Sequence, residues 1–83
     1  MQLLYFGWVR ARIGKVQETV NLPTHIKDVS ALIKWLKKRG GGYHEAFQNL
    51  NLIRVAINQE ITTLDARVDP DDEVALFPPM TGG

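Results

Sequence analysis

One apolar stripe limits what this chain can build. Val29, Leu32, Ile33 and Leu36 recur at i, i+3, i+4 and i+7, the spacing of a single helical face. Asp28 stands where an N-cap is needed, and Gly40 supplies a left-handed stop after the last turn. Lys37, Lys38 and Arg39 close that turn, where positive charge complements the helix dipole. A helix this short is marginal in water by itself, so its stripe must be covered by something else in the chain. With 83 residues and no cysteine, neither a second domain nor a disulfide is available to help.

The cover has to be a sheet. Met1 to Val9 reads as a strand, aromatic and aliphatic on both faces, with Gly7 marking a bulge or a close backbone approach. Arg10 to Gly14 reads as a basic connection with one helical turn ended by Gly14. Lys15 to Leu22 alternates, with Val16, Val20 and Leu22 on one face, and Glu18 spoils the pattern as an outer strand allows. These two strands form a hairpin. A second helical pattern, Tyr43, Ala46, Phe47 and Leu50, follows Gly41 and Gly42. Ile53, Val55 and Ile57 then alternate with Arg54, Ala56 and Asn58 at strand period, and Asn58-Gln59 turns the chain into Ile61–Thr63. Leu64 and Val68 are core positions in an irregular crossing, Asp69-Pro70-Asp71-Asp72 is a turn, and Val74 to Phe77 is the last strand. Two hairpins joined by a helix bury its stripe only by forming one sheet beneath it. The expected class is α+β: a ubiquitin-like β-grasp, a mixed sheet packed on one main helix over residues 1–76, followed by an extended tail at 77–83.

Composition excludes more than it identifies. A formal charge of +1 gives no support to nucleic-acid binding. No apolar run approaches the ~20 residues of a spanning helix, and the apolar start lacks the charges and cleavage site of a signal peptide, so no membrane association and a cytoplasmic location are expected. Ser30, the only serine, sits on the helix, and His25 and His44 lack metal-ligand spacing. Asp69, Asp71, Asp72 and Glu73 have neither the glycine of a calcium loop nor the spacing of a glycosidase pair. Gly40-Gly41-Gly42 is not followed by the lysine of a phosphate loop. No self-contained active site and no bound cofactor or metal are expected.

The tail is where chemistry remains. From Val74 to Gly83 no side chain is charged. Pro78 and Pro79 end the strand and stiffen the exit, because neither can donate to a ladder. Gly82 and Gly83 have no Cβ and can follow a passage too narrow for other residues. Extended, the steps from Phe77 to Gly83 reach about 20 Å. Phe77 and Met80 flank the prolines, and burying either is worth about 1.5–3 kcal/mol, which points to a partner surface. An α-carboxylate, pKa about 3.5, is an anion at neutral pH and can attack the α-phosphate of ATP. Activation of that kind would make Gly83 an acyl donor and then a thiocarboxylate, a sulfur carrier that needs no cysteine.

The ending Asp71-Asp72-Glu73-Val74-Ala75-Leu76-Phe77-Pro78-Pro79-Met80-Thr81-Gly82-Gly83 resembles the small subunit of molybdopterin synthase, the MoaD group among the ThiS/MoaD-type sulfur carriers. The aromatic start into Val9-Arg10 and the segment Val55-Ala56-Ile57-Asn58-Gln59 extend the resemblance over nearly the whole chain. It implies a non-catalytic subunit of a sulfurtransferase complex. An E1-like, MoeB-like adenylating enzyme would activate Gly83 with ATP, and a persulfide donor would supply sulfur. The tail, with Pro78, Pro79, Met80, Thr81 and Gly82, would enter a MoaE-like large subunit and donate sulfur to cyclic pyranopterin monophosphate. By the same resemblance Phe6, Ile61 and Phe77 dock the partner, and Arg10 contacts the activating enzyme. The chain departs from the family where Ala11 and Arg12 follow that arginine. A ubiquitin-like protein modifier, a carrier for thiazole or thiolated tRNA, and a plain interaction domain are the alternatives.

Overall fold

Alternation shapes the first strand. In the computed structural model, which describes residues 1–79, β1 spans Gln2–Tyr5 and buries Leu3 and Tyr5 while Gln2 and Leu4 remain half-exposed. The expected strand through Val9 stops short of that. Phe6 still joins the ladder, its N–H donating to the Leu76 carbonyl at 3.1 Å. Gly7 then turns at φ +57°, and helix α1 runs Gly7–Ile13. Trp8 and Val9 are therefore helical. Val9 and Ile13, one turn apart, both face the core, a signal that the run of apolar residues had hidden. Gly14 caps α1 in the left-handed conformation, its N–H donating to the Arg10 carbonyl at 2.8 Å. The single turn expected before Gly14 is the second half of this helix.

The pair β1 and β2 is antiparallel, but β2 covers only Gln17–Thr19 and α1 intervenes, so the two are not a tight hairpin. Helix α2, Val29–Lys37, forms as its stripe requires. Asp28 caps it by accepting from the Ala31 N–H at 2.8 Å, and Val29, Leu32, Ile33 and Leu36 are all fully buried. Each of those side chains contributes about 1.5–3 kcal/mol of burial. Helix α3, Gly41–Ala46, buries Ala46 and the following Phe47 and packs against both α1 and α2. Its approach to α1 depends on Gly42: a Cβ there would lie 2.0 Å from the Arg12 carbonyl oxygen. A short 3-10 turn, Leu50–Leu52, leads into β3, Arg54–Ile57.

Asn58 and Gln59 make the tight turn to β4, Glu60–Thr62, with φ of 50° and 70°. A non-glycine residue holds this conformation because its side chain is tied down. Asn58 accepts from the Glu73 N–H and donates to Asp72, both at 3.0 Å. The Asp69–Asp72 turn closes on itself and delivers the chain to β5, Glu73–Phe77. The sheet order is β2-β1-β5-β3-β4, with β1 and β5 parallel and every other pair antiparallel. The helices cover one face, and the core lies between it and α2. This is the mixed sheet under one main helix that the stripe required.

Candidate docking face and tail exit

Among the described residues no helix lies over the second face of the sheet, and the register shows what that face presents. Leu4 stands opposite Ala75, Ala75 opposite Ala56, and Ala56 opposite Ile61, a row of apolar side chains across four strands. Ile61 is 78 % exposed. At the upper end of this row, the hydrogen bond from Phe6 to Leu76 sets Phe6 beside Phe77. Phe6 is 47 % exposed and Phe77 half-buried. The three residues expected to dock a partner thus lie along one uncovered surface. Leu4, Ala56 and Ala75 complete it. Only cross-strand register reveals that they share a face.

Phe77 is the last residue of β5, and Pro78 is the first beyond it. The Pro78 ring lies directly over Gly7: a Cβ on Gly7 would sit 2.7 Å from Pro78 Cγ. The close approach expected at Gly7 is therefore an approach by the departing chain, at the point where α1 begins. Pro78 and Pro79 are half-buried. Met80, Thr81, Gly82 and Gly83, on which the expected chemistry falls, lie outside the described residues.

Among the described residues, the opposite side holds the one polar cluster with members shifted in pKa. Leu3 pairs with Glu18, so Glu18 points to the helix-covered face instead of to solvent. There its carboxylate accepts from the Tyr5 hydroxyl at 2.8 Å, the Tyr43 hydroxyl at 2.5 Å and the Arg39 guanidinium at 2.9 Å. Burial alone would push the Glu18 carboxyl up, but the bonds from Tyr43, Tyr5 and Arg39 outweigh it and hold the group below its ordinary range. Burial and then the bond to Glu18 push the Tyr5 phenol up, so it stays a protonated donor. The residue that spoiled the alternation of β2 is the hub of a network joining β1, β2, α3 and the turn after α2. Its members are bonded to one another on the face opposite the apolar row. It is structural.

Among the described residues there is no group of three or more His, Cys, Asp or Glu side chains able to hold a metal. Ser30 sits on α2, and His25 and His44 are exposed. No helix among the described residues is long and apolar enough to cross a membrane.

The sequence pattern of the ThiS family matches residues 3–83. The chain belongs to the ThiS family. Curated relatives of this ThiS-family chain include the molybdopterin synthase sulfur carrier subunit of Haemophilus influenzae, 32 % identical over 83 residues, covering 100 % of this chain and 99 % of that one. The human protein of the same name is 31 % identical over 86 residues, covering 100 % of this chain and 93 % of its own. Among solved structures, SAMP1 from Haloferax volcanii superposes with a TM-score of 0.72 at 25 % identity, covering 100 % of this chain and 98 % of that one. These likenesses extend over the whole of this chain.

Proposed function

We propose that this ThiS-family chain is the sulfur carrier subunit of a molybdopterin synthase and that Gly83 is its reactive residue. The observation that supports this most is a coincidence of surface and tail. β5 runs from the apolar row directly into Phe77-Pro78-Pro79, so the face that would hold a partner adjoins the start of the tail. Relatives matched over 99 % and 93 % of their own length carry the sulfur carrier name.

The chemistry follows from a carboxylate without a thiol. A carboxylate oxygen of Gly83 attacks the α-phosphorus of ATP in an E1-like, MoeB-like enzyme, and pyrophosphate leaves. The sulfur of a donor persulfide displaces AMP from the acyl carbon. A further thiol cleaves the resulting S–S bond, leaving the thiocarboxylate and a disulfide. The carrier then docks on a MoaE-like large subunit through Phe6, Ile61 and Phe77, and Gly82 and Gly83 thread to cyclic pyranopterin monophosphate. Pro78, Pro79, Met80 and Thr81 line the approach. The catalytic groups belong to the partners, and this chain supplies acyl carbon, reach and docking energy.

One added residue after Gly83 that stays uncleaved tests this reading. It is expected to abolish production of the molybdenum cofactor in a strain that depends on this carrier. Full cofactor production from the extended chain would contradict it. Ladders of conjugates in the same lysates would point to a protein modifier in its place.

A further inference from the structure

Charge on this molecule is sorted by place. Seven of the ten Lys and Arg residues lie on α1, on α2, or within two residues after them. Six of the nine Asp and Glu residues lie between positions 58 and 73, at the other end of the chain's course through the fold. The net charge of +1 conceals this separation. Glu18, on the helix-covered side, is taken up by Arg39 at 2.9 Å and Lys15 at 3.7 Å. Among the described residues no carboxylate comes within 4 Å of Lys34, Lys37 or Lys38.

Those three lysines do more than complement a dipole. Lys34, Lys37 and Lys38 border an open groove of about 380 Å³, and His44, contributed by α3, lines it with them. Helix α3 is held in place by its packing on α1 and α2, so the groove is fixed by tertiary structure and not by one helix. It opens on the outer side of α2, whose inner stripe is fully buried, and so faces away from the apolar row on the free sheet face. Whatever covers the sheet face leaves this groove accessible.

We infer that the groove of Lys34, Lys37, Lys38 and His44 is a second docking site, which receives a short acidic segment of a protein partner. Charge complementarity selects an anion, and the aliphatic stems of three lysines suit a peptide backbone laid between them. The distribution of charge favours a short segment over a nucleic acid. An extended polyanion would run beyond a groove bounded by four residues, and the domain as a whole lacks the basic excess such a ligand needs. A carrier with two docking surfaces can be held by one protein while another engages its tail.

The test uses the full chain, labelled with 15N and titrated with a hexaglutamate peptide in about 0.1 M salt, where surface charges beyond ~10 Å are screened. Shifts confined to the second half of α2 and to α3 are expected. The triple variant K34Q/K37Q/K38Q should bind at least about tenfold more weakly while keeping its circular dichroism spectrum. The single variant K38Q, on the exposed outer face, gives the same comparison should the triple variant unfold. A thymidine hexanucleotide, of similar charge, is expected to bind less tightly than the peptide. No shift, shifts spread equally over Arg10, Arg54 and Arg67, or tighter binding of the oligonucleotide would each overturn the inference. None of these results depends on Gly83, so the sulfur carrier reading stands or falls separately.

Discussion

The Tyr5 hydroxyl donates to the Glu18 carboxylate at 2.8 Å, tying the fully buried end of a central strand to an edge strand whose own ladder is three residues long. Tyr43 and Arg39 bind the same carboxylate from the helices. Glu18→Ala removes the acceptor common to all three and leaves a buried hydroxyl unpaired, a loss of about 1–3 kcal/mol. Urea unfolding at neutral pH measures it.

The pH dependence of that loss has a definite sign. Glu18 is held below its ordinary range in the folded protein, so it binds fewer protons folded than unfolded at mildly acid pH. Its contribution is fully present above the unfolded carboxyl pKa, about 4.3, and disappears as pH falls through the lower folded value. The stability gap between wild type and Glu18→Gln should therefore be widest near neutrality and shrink below about pH 4. A gap that grew with acid would show that the carboxylate is not the stabilised form.

The free sheet face should separate binding from folding. Ile61 is 78 % exposed, so Ile61→Ala should change stability by no more than about 0.5 kcal/mol. Phe77→Ala, at a half-buried position, is checked for folding by circular dichroism before use. Each is expected to weaken association with the large synthase subunit by about tenfold or more, as loss of an anchor residue does. Calorimetric titration reads this directly, and unchanged affinity for both variants would remove this face from the interface.

Gly42 makes a purely structural prediction. A Cβ 2.0 Å from the Arg12 carbonyl oxygen forces α3 away from α1, because neither partner is a flexible side chain. Gly42→Ala should cost about 1–3 kcal/mol, read as a lowered thermal midpoint.

Removing Gly83 separates fold from chemistry at the other end. The buried core among the described residues is built from side chains between Leu3 and Leu76, so the truncated chain should melt within a degree or two of wild type. Sulfur transfer should be lost. Retained transfer would refute the mechanism.

Much of this architecture was legible because local signals agreed with one another. Asp28, the stripe through Leu36, the Asn58-Gln59 turn and the strand ending at Pro78 each carry their own propensity, and the structure uses all of them. The failure at Phe6–Val9 has a physical cause. An unbroken run of apolar residues has no period, and only the register with β5 and the turn at Gly7 end the strand at Tyr5. Glu18 was misread for a related reason: a charge on an inner face looks like an error until Tyr5, Tyr43 and Arg39 are brought around it from three other elements. Phe6, Ile61 and Phe77 came from resemblance, and their common face from the sheet. The roles of Leu4, Ala56 and Ala75 required the strand order itself.

The most direct measurement is the intact mass of the chain after incubation with ATP, the adenylating enzyme and a persulfide donor, followed by fragmentation of its last peptide. An acyl carbon that exchanges one oxygen for sulfur gains about 16 Da, and the gain is expected on Gly83. An unchanged mass under conditions that convert an established carrier of this family, or a gain on any other residue, would contradict the account.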